Sequence, residues 1–278
     1  METPRTLPIY QVDAFAERLF TGNPAAVVPL EHWLPDALLQ DIAAENNQSE
    51  TVFFVPEGEA WRFRWFTPVA EVDLCGHATL AAAFVITERL RPGCARVHVH
   101  TNRVGDVFVE RSGDVLTLDF PAWPPVPVVA SAALVEALGG PAPVAVLEAR
   151  DTLVVYDDPA TVRALRPDFA RLARHPKWVI VTAPGGGTHD ADVDFVSRFF
   201  DTTVDPPEDP VTGSAHCILS PYWAERLGKS TLEARQVSKR GGRLHCRVAG
   251  ARVFIGGRAV MYLEGVIRVG LSSARRPG

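Results

Sequence analysis

Apolar and polar residues alternate with a period of two in many short runs, and a few stretches with a helical period interrupt them. Ile9 to Phe15 reads as an opening strand, and Gly22-Asn23-Pro24 as a turn into a second strand ending at Val28. Leu34 to Asn46 carries apolar residues at Leu38, Leu39, Ile42 and Ala43, a helix period, with Pro35 suited to the first turn. Ser49 to Val55 returns to a strand, and Trp61-Arg62-Phe63-Arg64-Trp65-Phe66 alternates bulky apolar with basic residues as a half-exposed strand does. A helix starts near His77. Arg96 to His100, Asp106 to Glu110 and Val115 to Phe120 then predict an antiparallel meander with glycine turns. Between Pro121 and Pro127, four prolines in seven residues break regular structure.

The second half repeats the plan. Val144 to Leu147 and Leu153 to Tyr156 predict strands, Thr161 to Ala173 a helix, Trp178 to Thr182 a buried strand, and Gly185-Gly186-Gly187 a turn. Asp194 to Phe200 alternates like the earlier aromatic strand, and Ala215 to Leu227 predicts a second major helix. Arg235 to Ser238, Arg243 to Val248, Arg252 to Ile255 and Ala259 to Gly265 close the chain as a sheet. The fold class expected is α+β. Two similar lobes are drawn at residues 1–120 and 121–278, with the C-terminal strand free to pack back onto the first.

One design occurs twice: an aromatic segment, then acidic and proline residues, then glycine opening a run of small residues. The first copy runs from Phe66-Thr67-Pro68 through Glu71, Asp73, Cys75 and Gly76 to His77-Ala78-Thr79. The second runs from Phe199-Phe200-Asp201 through Pro206, Pro207, Glu208 and Asp209 to Thr212-Gly213-Ser214-Ala215-His216. If both copies open helices, each offers unpaired backbone N–H groups and a positive dipole end, which suit a carboxylate or phosphate. Two such ends facing each other would make a cleft for a small anion. Groups able to move protons lie beside them: His77 in the first copy, Asp209 in the second, and Glu50 upstream in Gln48-Ser49-Glu50-Thr51.

Composition narrows the partners. A hydrophobic content of 47% with 22% charged residues indicates a globular chain, and a net charge of −5 gives no electrostatic reason to expect nucleic acid. No apolar run is long enough to span a bilayer, and the start of the chain lacks the charged-then-apolar pattern of a signal peptide, so residence in the cytoplasm is the expectation. Cys75, Cys94, Cys217 and Cys246 stand far apart without a C-x-x-C pair, which argues against a zinc ribbon or disulfide framework. His98 and His100 share one face of a strand; with no third ligand nearby in sequence they read as two solvated residues, and no metal is expected. Thr212-Gly213-Ser214 lacks the lysine of a P-loop, and no G-x-G-x-x-G follows a strand, so nucleotide and dinucleotide binding are not indicated.

Four blocks carry a family resemblance: Gly22-Asn23-Pro24-Ala25-Ala26-Val27, Asn47-Gln48-Ser49-Glu50-Thr51, Phe66-Thr67-Pro68 leading to Cys75-Gly76-His77, and Glu208-Asp209-Pro210-Val211-Thr212-Gly213-Ser214-Ala215. In this order, and over about Ile9 to Gly265, the chain resembles the PhzF-like proteins of phenazine biosynthesis. The resemblance implies the diaminopimelate epimerase-like fold: two lobes, each a curled, mainly antiparallel sheet around a central helix, with the active site in the cleft between them. It also implies an isomerase of the biosynthetic, cofactor-independent kind, a homodimer that shifts a proton between carbon atoms of a small carboxylate such as a cyclic amino or hydroxy acid. Carried over, the acid/base glutamate falls on Glu50, the histidine on His77 and the aspartate on Asp209. The anion-binding backbone falls at Gly76 and His77 and at Gly213 and Ser214, Ser49 orients the substrate, and Asn23 joins the substrate-binding positions. Burial is expected to raise the pKa of Glu50 toward the working range.

Plainer readings stand beside these. Glu50 at a strand start is ordinarily solvated, His77 could merely cap its helix, and Asn23 could only tie a turn. Asp209 before Pro210 is the usual arrangement for an N-cap. Epimerases of this fold use one cysteine per lobe; Cys75 occupies the first place, but no cysteine stands in Asp209-Pro210-Val211-Thr212-Gly213, and Cys217 falls a helical turn inside the helix, a core position. A racemase working with Cys75, its thiol pKa lowered by the helix N-terminus, is one alternative. A catalytically silent binding or regulatory protein of the same fold is the other.

Overall fold

The computed structural model describes residues 5–270. Its packing separates into two units: Met1–Ala14 with Pro24–Leu118 and Ala259–Gly278, and Phe15–Asn23 with Asp119–Arg258. The architecture is mixed α+β, dominated by sheet.

In the first unit, β1 (Arg5–Ala14) runs antiparallel to the last strand of the chain, Ala259–Val269, in a register from Arg5 opposite Val269 to Ala14 opposite Ala259, with a bulge at Gln11/Val12. β2 (Asn23–Pro29), α1 (Asp36–Asn46) and β3 (Thr51–Glu57) form a crossover that leaves β2 and β3 parallel, as a helical connection allows. Pro35 is the N-cap of α1, one position before its first turn, and Asn47 closes it in the left-handed conformation, φ 49°. β4 (Ala60–Phe66) pairs antiparallel with β3 and with the short β5 (Glu71–Val72). After α2 (Gly76–Val85) and a π-helical turn, β6 (Arg96–His100) returns parallel to β4 and opens a meander with β7 (Asp106–Ser112) and β8 (Val115–Pro121). Nearly every residue of α2 is buried, because the helix packs against β1, β3 and the last strand. A helix apolar all round can be stable only when sheet encloses it. Ala78, Ala81, Ala82 and Ala83 favour the helix and let the strands approach closely.

The second unit begins with β9 (Val126–Pro127), followed by α3 (Ala132–Leu138), β10 (Ala145–Glu148) and β11 (Thr152–Val155). The helix α3 was not expected. The single helix expected over Thr161 to Ala173 is two short ones, α4 (Pro159–Ala164) and α5 (Phe169–Leu172), because Pro167 cannot continue a helix and biases the residue before it toward extended backbone. β12 (Val179–Gly186) lies parallel to β11 and antiparallel to β13 (Asp190–Phe200). β14 (Glu208–Asp209) turns back onto β13, and after α6 (His216–Leu227) β15 (Thr231–Gln236) runs parallel to β13. The strand expected at Arg235 to Ser238 thus starts and ends earlier. β16 (Gly242–Ala249) and β17 (Arg252–Gly257) complete the meander, and β18 is the Ala259–Val269 strand already described.

The repeat in the sequence is therefore a repeat of topology. Strand β4, short β5, helix α2 and parallel β6 correspond to β13, β14, α6 and parallel β15, each followed by an antiparallel meander. α6 contains Pro221, which cannot donate to the Cys217 carbonyl one turn back. The Trp123 N–H takes that role at 2.8 Å, so the proline interrupts the ladder without orphaning a buried acceptor. α6 packs against β15, β16 and β17.

Candidate active site

In the first unit, the residues around α2 form one polar cluster in an apolar setting. Asn47 turns the chain out of α1, and the next three residues bring Glu50 to the mouth of β3, where its carbonyl accepts from Ala26 N–H at 3.1 Å. Cys75 is the N-cap of α2 in extended conformation, and its carbonyl accepts from the Thr79 N–H and Thr79 Oγ1 at 3.0 and 2.6 Å. His77 is thereby held at the second helical position with its side chain turned inward.

Nε2 of His77 lies 3.1 Å from Glu50 Oε2 and 3.3 Å from Ser49 Oγ, and its Nδ1 lies 3.3 Å from Cys75 Sγ. The side chains of His77 and Glu50 are only 8% and 18% exposed, so their contact is an ion pair largely withdrawn from water. His77 does not cap its helix; it faces a carboxylate, a hydroxyl and a thiol. Burial alone would pull the imidazole's pKa down, but Cys75 and Glu50 outweigh it and hold His77 well above its ordinary value. Burial pushes the Glu50 carboxyl up, yet the His77 charge and the hydrogen bonds from His77 and Ser49 leave it below its usual value. The expected rise in Glu50 does not occur, because its partner is a cation at hydrogen-bonding distance.

Cys75 lacks the lowered pKa that the thiol alternative calls for. Burial and the Glu50 charge raise its thiol, and together they exceed the lowering effects of His77 and the helix start. The ion pair thus favours the ionised forms of Glu50 and His77, while burial favours the thiol form of Cys75. The donor atoms of Glu50, Cys75 and His77 lie within 4.8 Å of one another, close enough for a metal ion, but the ion pair already balances the charge of the set.

In the second unit, Asp209 is not an N-cap. It ends β14, and the regular helix α6 starts only at His216, after a tighter turn in which Gly213, Ser214 and Ala215 carbonyls accept from N–H groups three residues on. Gly213 and Ser214 thus precede the helix instead of opening it, unlike Gly76. The Arg198 guanidinium, itself buried, holds Glu208 at 2.6 and 3.0 Å and donates to the Val162 and Leu165 carbonyls at the end of α4, which anchors β14. Asp209 Oδ1 accepts from Asn23 Nδ2 at 2.8 Å and its Oδ2 from Thr212 Oγ1. Asn23, fully buried, also donates to the Val211 carbonyl at 2.9 Å, so it does more than tie a turn.

Two residues in this unit were not singled out from the sequence. Gln236, fully buried, donates to the Asp209 carbonyl at 2.8 Å and accepts from the Thr212 N–H at 2.9 Å, bracing the first half of the loop between β14 and α6. Arg150 donates to Ser214 Oγ at 3.1 Å while its guanidinium pairs with Asp151 and lies 4.8 and 5.3 Å from the Trp123 and Trp178 rings. No local pattern marks either residue; each meets its partner more than twenty positions away in the chain. Cys217 is the second residue of α6 and not a turn inside it, yet it is buried, and its thiol is pushed up to about 12 chiefly by desolvation.

Glu50, His77, Ser49 and Gly76 thus lie in the first unit, and Asp209, Asn23, Gly213 and Ser214 in the second. Residues 12–265 match the family model described as phenazine biosynthesis-like protein. An uncharacterized isomerase of Pseudomonas aeruginosa is 52% identical over 95% of this chain and 99% of its own length. A human phenazine biosynthesis-like domain-containing protein is 37% identical over 94% of this chain and 99% of its own. Among solved structures, a phenazine biosynthesis protein of the PhzF family from Enterococcus faecalis superposes with a TM-score of 0.90 at 45% identity, covering 95% of this chain and 99% of that one. A hydroxyproline epimerase from Agrobacterium vitis shares the fold at a TM-score of 0.57 and 14% identity, over 99% and 95% of the two chains.

Proposed function

The chain belongs to the phenazine biosynthesis-like family, and from that membership we propose that it is an isomerase that moves a proton on a small carboxylate, with Glu50 as the proton-shuttling group. The observation that carries the proposal is the buried Glu50–His77 ion pair beside the start of α2. Such a pair keeps a carboxylate ionised in an apolar pocket, where its basicity is governed by one neighbouring cation.

The substrate carboxylate binds the backbone N–H groups of Gly76 and His77, where the helix dipole favours negative charge. That second anion competes for the His77 charge and raises the pKa of Glu50, so substrate binding itself brings the base into its working range. Glu50 then takes a proton from the activated carbon and returns it elsewhere on the delocalised system. His77 and the α2 N–H groups stabilise the negative charge that develops in between. Ser49, 3.3 Å from His77 Nε2, orients substrate and imidazole together. Asp209, with Asn23, Gly213 and Ser214, is the second set of proton-handling and binding groups in this reading, on the strength of the family motif. The rest of the reading is a cofactor-independent homodimer in the cytoplasm with the diaminopimelate epimerase-like arrangement.

The thiol alternative has less behind it, because a racemase base at Cys75 needs a thiolate and the surroundings of Cys75 favour the thiol. Proton exchange distinguishes the two without knowledge of the product. In D2O, with a panel of small cyclic and acyclic amino and hydroxy carboxylates, the enzyme should wash out a carbon-bound proton followed by NMR. Glu50→Gln should slow that exchange by about 10²- to 10⁴-fold with the fold intact. Exchange at the wild-type rate in Glu50→Gln, or its loss on alkylating Cys75 alone, would sink the assignment.

A further inference from the structure

We infer that the β6–β7 hairpin carries a divalent transition-metal site formed by His98, His100 and Asp106. This does not rest on the proposed isomerase activity. Successive side chains of a strand point to opposite faces, so His98 and His100 share one face of β6 while Val97 and Val99 are buried on the other. Antiparallel register sets Asp106 of β7 directly opposite His100 and diagonal to His98. The Asp106 carboxylate bridges the two rings: Oδ2 lies 2.8 Å from His98 Nε2 and Oδ1 lies 2.7 Å from His100 Nδ1. One donor atom from each of the three residues falls within 4.8 Å of the other two.

The arrangement is held in place. His98 stacks on Phe108, its cross-strand neighbour, at 4.5 Å between centroids, and the Arg96 guanidinium lies over the Phe108 ring at 4.0 Å. The rings of His98 and His100 meet edge to face at 4.4 Å. Two imidazoles on a rigid strand facing a carboxylate on its neighbour form an N2O donor set, which suits Zn2+ or Cu2+ with water completing the coordination. All three side chains are between about a quarter and a half exposed, so an ion reaches them from solution without any opening of the fold. On binding, the ring protons now shared with Asp106 move to the distal ring nitrogens, which leaves a lone pair on each ligand atom with no net proton change for neutral imidazoles. The carboxylate then ligates the ion in place of the two N–H groups.

Isothermal titration of the full chain, free of any affinity tag, with Zn2+ tests the assignment. One saturable site with micromolar affinity is expected, with the imidazole NMR signals of His98 and His100 shifting and that of His77 unmoved. His98→Ala and Asp106→Asn should each weaken binding at least tenfold. Asp106→Asn keeps the shape of the side chain, so a loss there cannot be ascribed to a disturbed hairpin. Absence of a saturable site in the wild-type chain, a weakening below tenfold in either variant, or a shift at His77 in place of His98 would overturn the inference.

Discussion

At the scale of single residues, burial acts on four side chains with different results, and the difference is the partner each one meets. Glu50 and His77 meet each other, and each favours the charged form of the other. The signs of their contributions to stability are opposite. The contribution of Glu50 is present above its ordinary value of 4.5 and lost as pH falls through its lowered folded value, while that of His77 is present below 6.5 and lost as pH rises through its raised one. His216 meets the Phe195 ring at 5.8 Å and the Thr212 carbonyl, to which Nδ1–H donates at 2.9 Å, neither of them charged, and burial pushes its pKa down to about 4. Between 6.5 and that value the unfolded chain binds a proton that the native chain refuses, so His216 makes the protein less stable as pH falls through this window. Urea unfolding of the wild type should lose on the order of 2 kcal/mol between about pH 7 and 5 from this residue, and His216→Gln should flatten that slope. Cys75 meets Glu50 and is held as a thiol. After brief iodoacetamide treatment at neutral pH, mass spectrometry should find the partly exposed Cys94 alkylated first, with the buried Cys75, Cys217 and Cys246 lagging by at least about tenfold. Early labelling of Cys75 would favour the thiol mechanism. Glu50, His77 and Asp209 were legible as motif positions. The direction of the Glu50 pKa was not, because sequence order does not say that His77 sits 3.1 Å away.

At the scale of elements, the strands and the two long central helices follow from alternation and from runs of small residues. The misses fall where a short local feature decides. Pro167 split one expected helix in two, and Asp209-Pro210, a helix-entry pair by composition, ends a two-residue strand because its backbone is engaged by Phe199 and Gln236. The Gly185-Gly186-Gly187 turn shows what such a feature costs to change. A Cβ on Gly185 would stand 1.8 Å from the Val193 carbonyl oxygen, at the bulge between β12 and β13. The strands cannot part locally without breaking their ladder, so Gly185→Ala should destabilise by about 2–4 kcal/mol. Gly250 at φ 58° has open space around it, and Gly250→Ala should lose only about 1 kcal/mol through its backbone conformation. Denaturant midpoints of the two variants separate steric from conformational cost; similar losses would refute the clash. Likewise His98 and His100 were visible as a pair, but their third partner came from register: Asp106 follows in the next strand, and only the hairpin sets it opposite His100.

For the molecule as a whole, the first and last strands meet in one unit: β1 pairs along its full length with β18, so the first unit is completed only by the last strand. Leu7, Val28, Leu39 and Phe53 share a core with Val269. A chain ending at Arg258 should therefore lose cooperative unfolding of the first unit and expose apolar surface, read by calorimetry and by dye binding; an unchanged unfolding profile would refute this. Among the described residues no helix is long and apolar enough to cross a membrane. What the sequence by itself determined is what depends on near neighbours: strand and helix periods, the repeated motif, the glycines that open turns, the family and the α+β class. Tertiary structure alone decided the Glu50–His77 charge state, the Gln236 brace on Asp209, the Arg150 contact to Ser214 and the third ligand beside His98 and His100. Each of these is an interaction between residues whose spacing along the chain carries no periodic signal. Their energies depend on distances and burial that exist only after the sheets have closed.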